Sequence, residues 1–141
     1  MLNESARGVF TISATPFSDD GSLDLVSFDR LVDFYLEKGA TGLTVLGMMG
    51  EAGKLSASEA EVVARRAVAR ADVPVVVGVS APGFAQMQAL AKASVEAGAA
   101  AVMVAPPASL KTDGQIVAYY QGVAETLEDI PFVLQDFPLV T

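Results

Sequence analysis

Gly42-Leu43-Thr44-Val45-Leu46-Gly47-Met48-Met49-Gly50-Glu51-Ala52-Gly53-Lys54-Leu55-Ser56 carries a strand, a sharp loop and a helix start in one unbroken stretch. Residues 42–46 are an apolar run short enough to be a buried strand. The glycines at 47, 50 and 53 allow a tight turn and a close backbone approach to a ligand. Ser56 followed three residues later by Glu59 is a capping-box signature, so a helix runs from here to about Arg70. Successive amide N–H groups in such a turn, ahead of a helix, make a concavity suited to an anion. Gly47, Met48, Met49, Gly50 and Glu51 are therefore the candidate ligand-binding residues. The plainer reading is a strand-to-helix turn with no ligand. Glu51 would then serve the helix dipole or tie down the loop, and Met48 and Met49 would fill core or line an adaptable apolar pocket.

The same strand–loop–helix unit recurs in both directions. Residues 8–14 read as a first strand, ended by Thr15-Pro16-Phe17, and Ser18-Asp19-Asp20-Gly21-Ser22 is turn chemistry rather than a metal site. Leu25, Phe28, Leu31, Val32, Tyr35 and Leu36 make a helical stripe over residues 24–38, stopped at Gly39. Residues 73–79 (Val-Pro-Val-Val-Val-Gly-Val) are a continuous apolar strand of the parallel-sheet type. A helix follows over 80–96, with Ser94 small enough to pack at its edge, then a strand over 99–104 closed by Ala105-Pro106-Pro107. The last helix covers 115–127, where the spacing of Tyr119 and Tyr120 points to core packing, and the last strand covers 130–134. Alternating strands and helices mean βαβ units and a parallel sheet. Two architectures fit: a flavodoxin-like doubly wound sheet, or the first part of a (β/α)8 barrel of about 250 residues. The pattern favours the barrel, because no helix follows the fifth strand to cover it.

Composition narrows the chemistry. The chain has 141 residues, 52% of them hydrophobic and 18% charged, which is a globular rather than a disordered balance. Its mean hydropathy of +0.44 suits strands buried on both faces. A net charge of −8 argues against nucleic-acid binding, and no apolar run has membrane-span length. The N-terminus shows no secretory signal, so a cytoplasmic location is the default expectation. With no cysteine and no histidine, thiolate, imidazole and zinc-thiolate chemistry are all unavailable. Carboxylates, lysines, tyrosines, hydroxyls and backbone dipoles remain. No cofactor and no metal is expected.

Several motifs together resemble the dihydrodipicolinate synthase/N-acetylneuraminate lyase family. They are Gly8-Val9-Phe10-Thr11 through Thr15-Pro16-Phe17 and Asp19-Asp20-Gly21-Ser22-Leu23-Asp24, then Leu46-Gly47-Met48-Met49-Gly50-Glu51-Ala52 with Leu55-Ser56, and the runs at 73–79 and 97–107. The similarity spans the chain and implies the barrel, of which residues 1–141 would be an N-terminal, truncated portion with five strands and four helices. It also implies a Schiff-base lyase or aldolase acting on pyruvate or a related 2-oxo acid, commonly as a homo-oligomer. In that family a lysine on strand six attacks the keto carbon, a tyrosine ending strand five relays protons, and the strand-two loop holds the substrate carboxylate.

Three departures from the family pattern stand out. Strand six is absent, and Lys38, Lys54, Lys92 and Lys111 lie on helices or loops where solvated surface is the better reading. Met48 and Met49 occupy the two hydroxylic positions of the family's Gly-Thr-Thr-Gly-Glu signature. The strand-five motif reads Gln135-Asp136-Phe137-Pro138, which puts Gln135 at the tyrosine position, while Val140 stands at the usual arginine and Ala108 at the aromatic after strand four. Dihydrodipicolinate synthase or neuraminate lyase activity proper is therefore not expected, and the Gln-Asp pair resembles sugar-acid members such as 2-keto-3-deoxy-arabonate dehydratases. Gln135 can hold an oxygen or a water. Asp136 can be a general base or position the loop. The chain alone is expected to be inactive, and the alternative role is a non-catalytic half-barrel that oligomerises or binds a carboxylate.

Overall fold

Side chains alternate across a strand, so within each apolar run consecutive residues go to opposite faces of the sheet. In the computed structural model, which describes residues 1–136, five strands form: β1 Phe10–Ile12, β2 Gly42–Val45, β3 Val75–Gly78, β4 Ala101–Val104 and β5 Phe132–Leu134. Every pairing is parallel and the sheet order is β1-β2-β3-β4-β5. A doubly wound sheet reverses its strand order part-way, whereas a barrel adds each strand beside the last. The observed order is that of the barrel.

Four helices link successive strands: α1 Leu25–Glu37, α2 Ala57–Arg70, α3 Phe84–Ala97 and α4 Asp113–Leu127. Leu43, Val45, Val75, Val77, Val102 and Val104 face them, and buried residues of all four helices join this one core. The helices thus form a single layer on one side of the sheet. On the other side Val76, Ala101 and Met103 pack with Phe10 and Leu2. This second cluster is the barrel's inner face. Gly42 on that face leaves room for the Phe10 ring, which would lie 2.4 Å from a Cβ.

The expected caps form where the residues supply them. Asp24 accepts from Ser27 N–H at 2.9 Å at the start of α1. Ser56 and Glu59 make the full capping box of α2. Gly98 closes α3 in the left-handed region at φ 107°. Asp20 accepts from the Ser22 N–H and hydroxyl at 2.9 and 2.7 Å, which makes 19–22 a side-chain-stabilised turn. Ser94 is buried and donates back to the Leu90 carbonyl at 2.7 Å. Two boundaries differ from the sequence reading. α3 begins at Phe84 rather than at residue 80, because Pro82 disfavours helix in the residue before it and Gly83 is extended. α4 begins at Asp113, earlier than residue 115, because Thr112 and Gln115 form a second capping box. Between α1 and α2, Arg66 grips Asp29 through two bonds of 2.7 and 2.6 Å, and Arg70 grips Asp33 the same way.

Candidate active-site loop and cleft

β2 ends at Val45, and Leu46 turns the chain over the end of the sheet with φ +58°. The left-handed region costs a non-glycine residue about 1–2 kcal/mol. Burial of the Leu46 side chain, 3% exposed, contributes about 1.5–3 kcal/mol and offsets it. Gly78, the last residue of β3, makes the crossing possible: a Cβ there would stand 2.2 Å from the Leu46 carbonyl oxygen. The loop's own glycines matter less than the sequence suggests. None of Gly47, Gly50 and Gly53 has a positive φ; the left-handed residues are Leu46 and Glu51. Only Gly50 is crowded, with a Cβ 3.0 Å from the Leu46 nitrogen, while Gly53 faces open space.

Hydrogen bonds then set the loop. Gly50 and Glu51 donate to the carbonyls of Gly47 and Met48 at 3.1 and 3.0 Å. The buried Thr15 hydroxyl donates to the Gly50 carbonyl at 2.7 Å, which ties the loop to the chain after β1. The Glu51 carboxylate pairs with the Lys54 ammonium. Among the described residues, the N–H groups of Met48 and Met49 find no protein acceptor. Both side chains are exposed, Met48 at 53% and Met49 at 62%, so neither fills core.

An open cleft of ≈ 600 Å³ lies beside this loop, and Gly47, Met48, Glu51, Lys54 and Gln135 line it with Met103. Gln135 reaches it because its N–H continues the ladder to the Val104 carbonyl at 2.9 Å. It stands two residues beyond Val133, the partner of the inward Met103, so alternation turns it to the inner face. Asp136 does not line the cleft; it borders a groove of ≈ 690 Å³ on the other side, lined also by Gln135 and by Tyr120 and Val117 on α4. The structure therefore joins Gln135, but not Asp136, to the strand-two loop. Phe137, Pro138 and Val140 lie outside the described residues. Ser80 is a cleft residue that the sequence reading passed over as a helix start. Its hydroxyl accepts from Ala105 N–H at 2.9 Å and links the ends of β3 and β4; the clue was a serine just past a strand's C-terminal end, where barrel sites sit.

The family model for the dihydrodipicolinate synthetase family matches residues 5–141. The chain belongs to that family. It is 34% identical over 137 residues to the 4-hydroxy-tetrahydrodipicolinate synthase of Thiobacillus denitrificans, covering 95% of this chain and 46% of that protein. The crystal structure of dihydrodipicolinate synthase from Rhodopseudomonas palustris superposes with a TM-score of 0.93 at 57% identity, over 98% of this chain and 46% of that one. YagE, a prophage protein from E. coli K12 solved in complex with pyruvate, superposes at 0.85 with 30% identity, over 95% of this chain and 46% of its own. The chain spans about half the length of the relatives it matches.

Beside the site of this synthetase-family chain, two tyrosines of α4 have structural work. Tyr120 donates to the Val104 carbonyl at 3.0 Å, and Tyr119 approaches the Ala105 carbonyl at 3.4 Å. Both pack against the core, Tyr120 over Phe132 and Tyr119 against Phe84. Burial pushes the Tyr120 phenol up to about 12, with Tyr119 and Asp136 adding to the effect, and burial raises Tyr119 too. Each stays protonated through neutral pH and holds α4 to the mouth of the sheet. Lys38, Lys54, Lys92 and Lys111 are all exposed. None has the desolvated setting that activates a Schiff-base amine. No helix among the described residues is long and apolar enough to cross a membrane.

Proposed function

We propose that this chain supplies the carboxylate-holding part of a Schiff-base lyase or dehydratase acting on pyruvate or a 2-keto-3-deoxy sugar acid. The observation that carries the reading is the pair of unpartnered N–H groups at Met48 and Met49, in a loop whose Met48 lines the cleft and which the Thr15–Gly50 bond ties down. Two amide donors in a preset loop suit a carboxylate, which accepts from backbone without needing a particular side chain. Gly47, Gly50 and Glu51 shape that loop. The family relationship and the pyruvate complex of YagE support the ligand class.

Chemistry at the keto carbon needs an amine that adds to it and releases water as the iminium forms. No exposed lysine of this chain meets that need, so the 141-residue chain by itself forms no Schiff base. Met48 and Met49 cannot relay a proton, and Gln135 cannot act as acid or base, which argues against dihydrodipicolinate synthase activity proper. Gln135 instead anchors an oxygen or a water in the cleft, and Asp136 positions the strand-five loop. Borohydride reduction in the presence of pyruvate, read by intact mass, should leave the chain unmodified. A stable adduct at any lysine overturns the proposal.

One observation favours a second role. Inner-face residues Ile12 and Val133 are 40% and 39% exposed, and β1 and β5 are the outermost strands of the sheet among the described residues. Such a sheet invites pairing with another chain, so self-association without turnover is the alternative reading.

A further inference from the structure

We infer that Met48 and Met103 make the cleft selective for 2-oxo acids with an apolar chain beyond the keto carbon. The inference rests on the carboxylate reading above and decides the chain beyond the keto carbon against the sugar-acid option. Met103 lies directly beneath the loop: its terminal methyl is 3.4 Å from where a Cβ of residue 47 would stand, with an Ile12 methyl at 3.7 Å. Met48 lines the cleft above that apolar floor, so a carboxylate held by the loop N–H groups lies beside apolar surface. Leu46, Met48 and Ala105 continue that surface around the cleft.

Polar groups facing the same space are mostly spoken for. Glu51 and Lys54 pair with each other, and the Ser80 oxygen accepts from Ala105 N–H, which leaves only its O–H to offer. The Gln135 side-chain amide and the Ser80 O–H are the remaining polar groups of the lining, and among the described residues neither donates a hydrogen bond to protein. Between them they can serve one or two oxygens. A chain carrying several hydroxyls would have to give up water for methyl and thioether groups, which leaves those hydroxyls unpaired. An aliphatic chain gains from the same wall. The exposed, unbranched Met48 can fold down over it, as thioether side chains do at adaptable surfaces.

The test is a titration of the chain with pyruvate, 2-oxohexanoate and a 2-keto-3-deoxy sugar acid, followed by the amide resonances of residues 47–51. About tenfold tighter binding of 2-oxohexanoate than of pyruvate is expected, since three added methylenes become partly buried. The sugar acid should bind no tighter than pyruvate. Met48→Thr should cut the tenfold preference to about threefold or less, and Met48→Leu should keep it. Equal affinities, a preference for the sugar acid, or an unchanged preference in Met48→Thr overturns the inference while leaving the carboxylate reading intact. If no acid moves the amides of residues 47–51, the carboxylate reading itself fails and the inference goes with it.

Discussion

A Cβ at position 78 would stand 2.2 Å from the Leu46 carbonyl oxygen and 3.2 Å from the Gly47 nitrogen, both backbone atoms that cannot swing aside. Gly78→Ala should therefore destabilise the fold by about 1–3 kcal/mol, the usual cost of overpacking. It should also shift the amide resonances of residues 46–51; urea denaturation and an HSQC spectrum measure the two effects. Thr15→Val tests the other support of the loop. Losing its 2.7 Å bond leaves the Gly50 carbonyl without that donor in a buried setting. A loss of about 1–3 kcal/mol is expected, with Thr15→Ser retaining most of the stability. A neutral Thr15→Val would show that the loop does not depend on this tie. Neither role was legible in the sequence, where Gly78 is one apolar-strand residue among several and Thr15 merely precedes a proline.

Helices and their joins respond to pH in two separate windows. Arg66 and Arg70, bonded to Asp29 and Asp33, hold those carboxyls below the usual aspartate range. Because the folded-state values are depressed, this contribution is present above the unfolded pKa of about 4 and is lost as pH falls below it. Thermal unfolding should show a falling Tm below about pH 4, weaker in Asp29→Asn/Asp33→Asn, which lacks the linkage. An equal acid slope in that variant would assign the loss elsewhere. Tyr120 acts at the other end. Its folded-state value is raised to about 12, so its contribution is complete below the unfolded value of about 10 and disappears as pH rises towards 12. Tyr120→Phe should flatten that alkaline decline at the expense of the bond to Val104. The element map was largely legible because stripes, caps and apolar runs are local properties. The start of α4 was the exception that could have been found, since Thr112 and Gln115 have the capping-box spacing.

For the whole molecule, the sequential strand order leaves β1 and β5 at opposite edges and an inner face covered only in part. Sedimentation of the 141-residue chain should show concentration-dependent association. Val133→Lys places a charge on the exposed inner face and should weaken that association by at least severalfold. A monomer indifferent to concentration would rule out the open edges as interfaces.

Alternation of apolar runs with amphipathic stripes determined by itself that the sheet is parallel, because each signal depends on neighbours a few residues away. The same local reading found the strand-two loop, and the family resemblance named Gln135 and Asp136 as a pair. Only tertiary structure separated that pair. Strand alternation turns Gln135 inward, to the cleft beside Met48, and Asp136 outward, to Tyr120. It likewise moved the loop's geometric burden from Gly47 and Gly53 to Leu46, Glu51 and Gly78. Which residue must be small depends on what crosses above it, and the Leu46 carbonyl meets Gly78 only because β2 and β3 lie side by side in register.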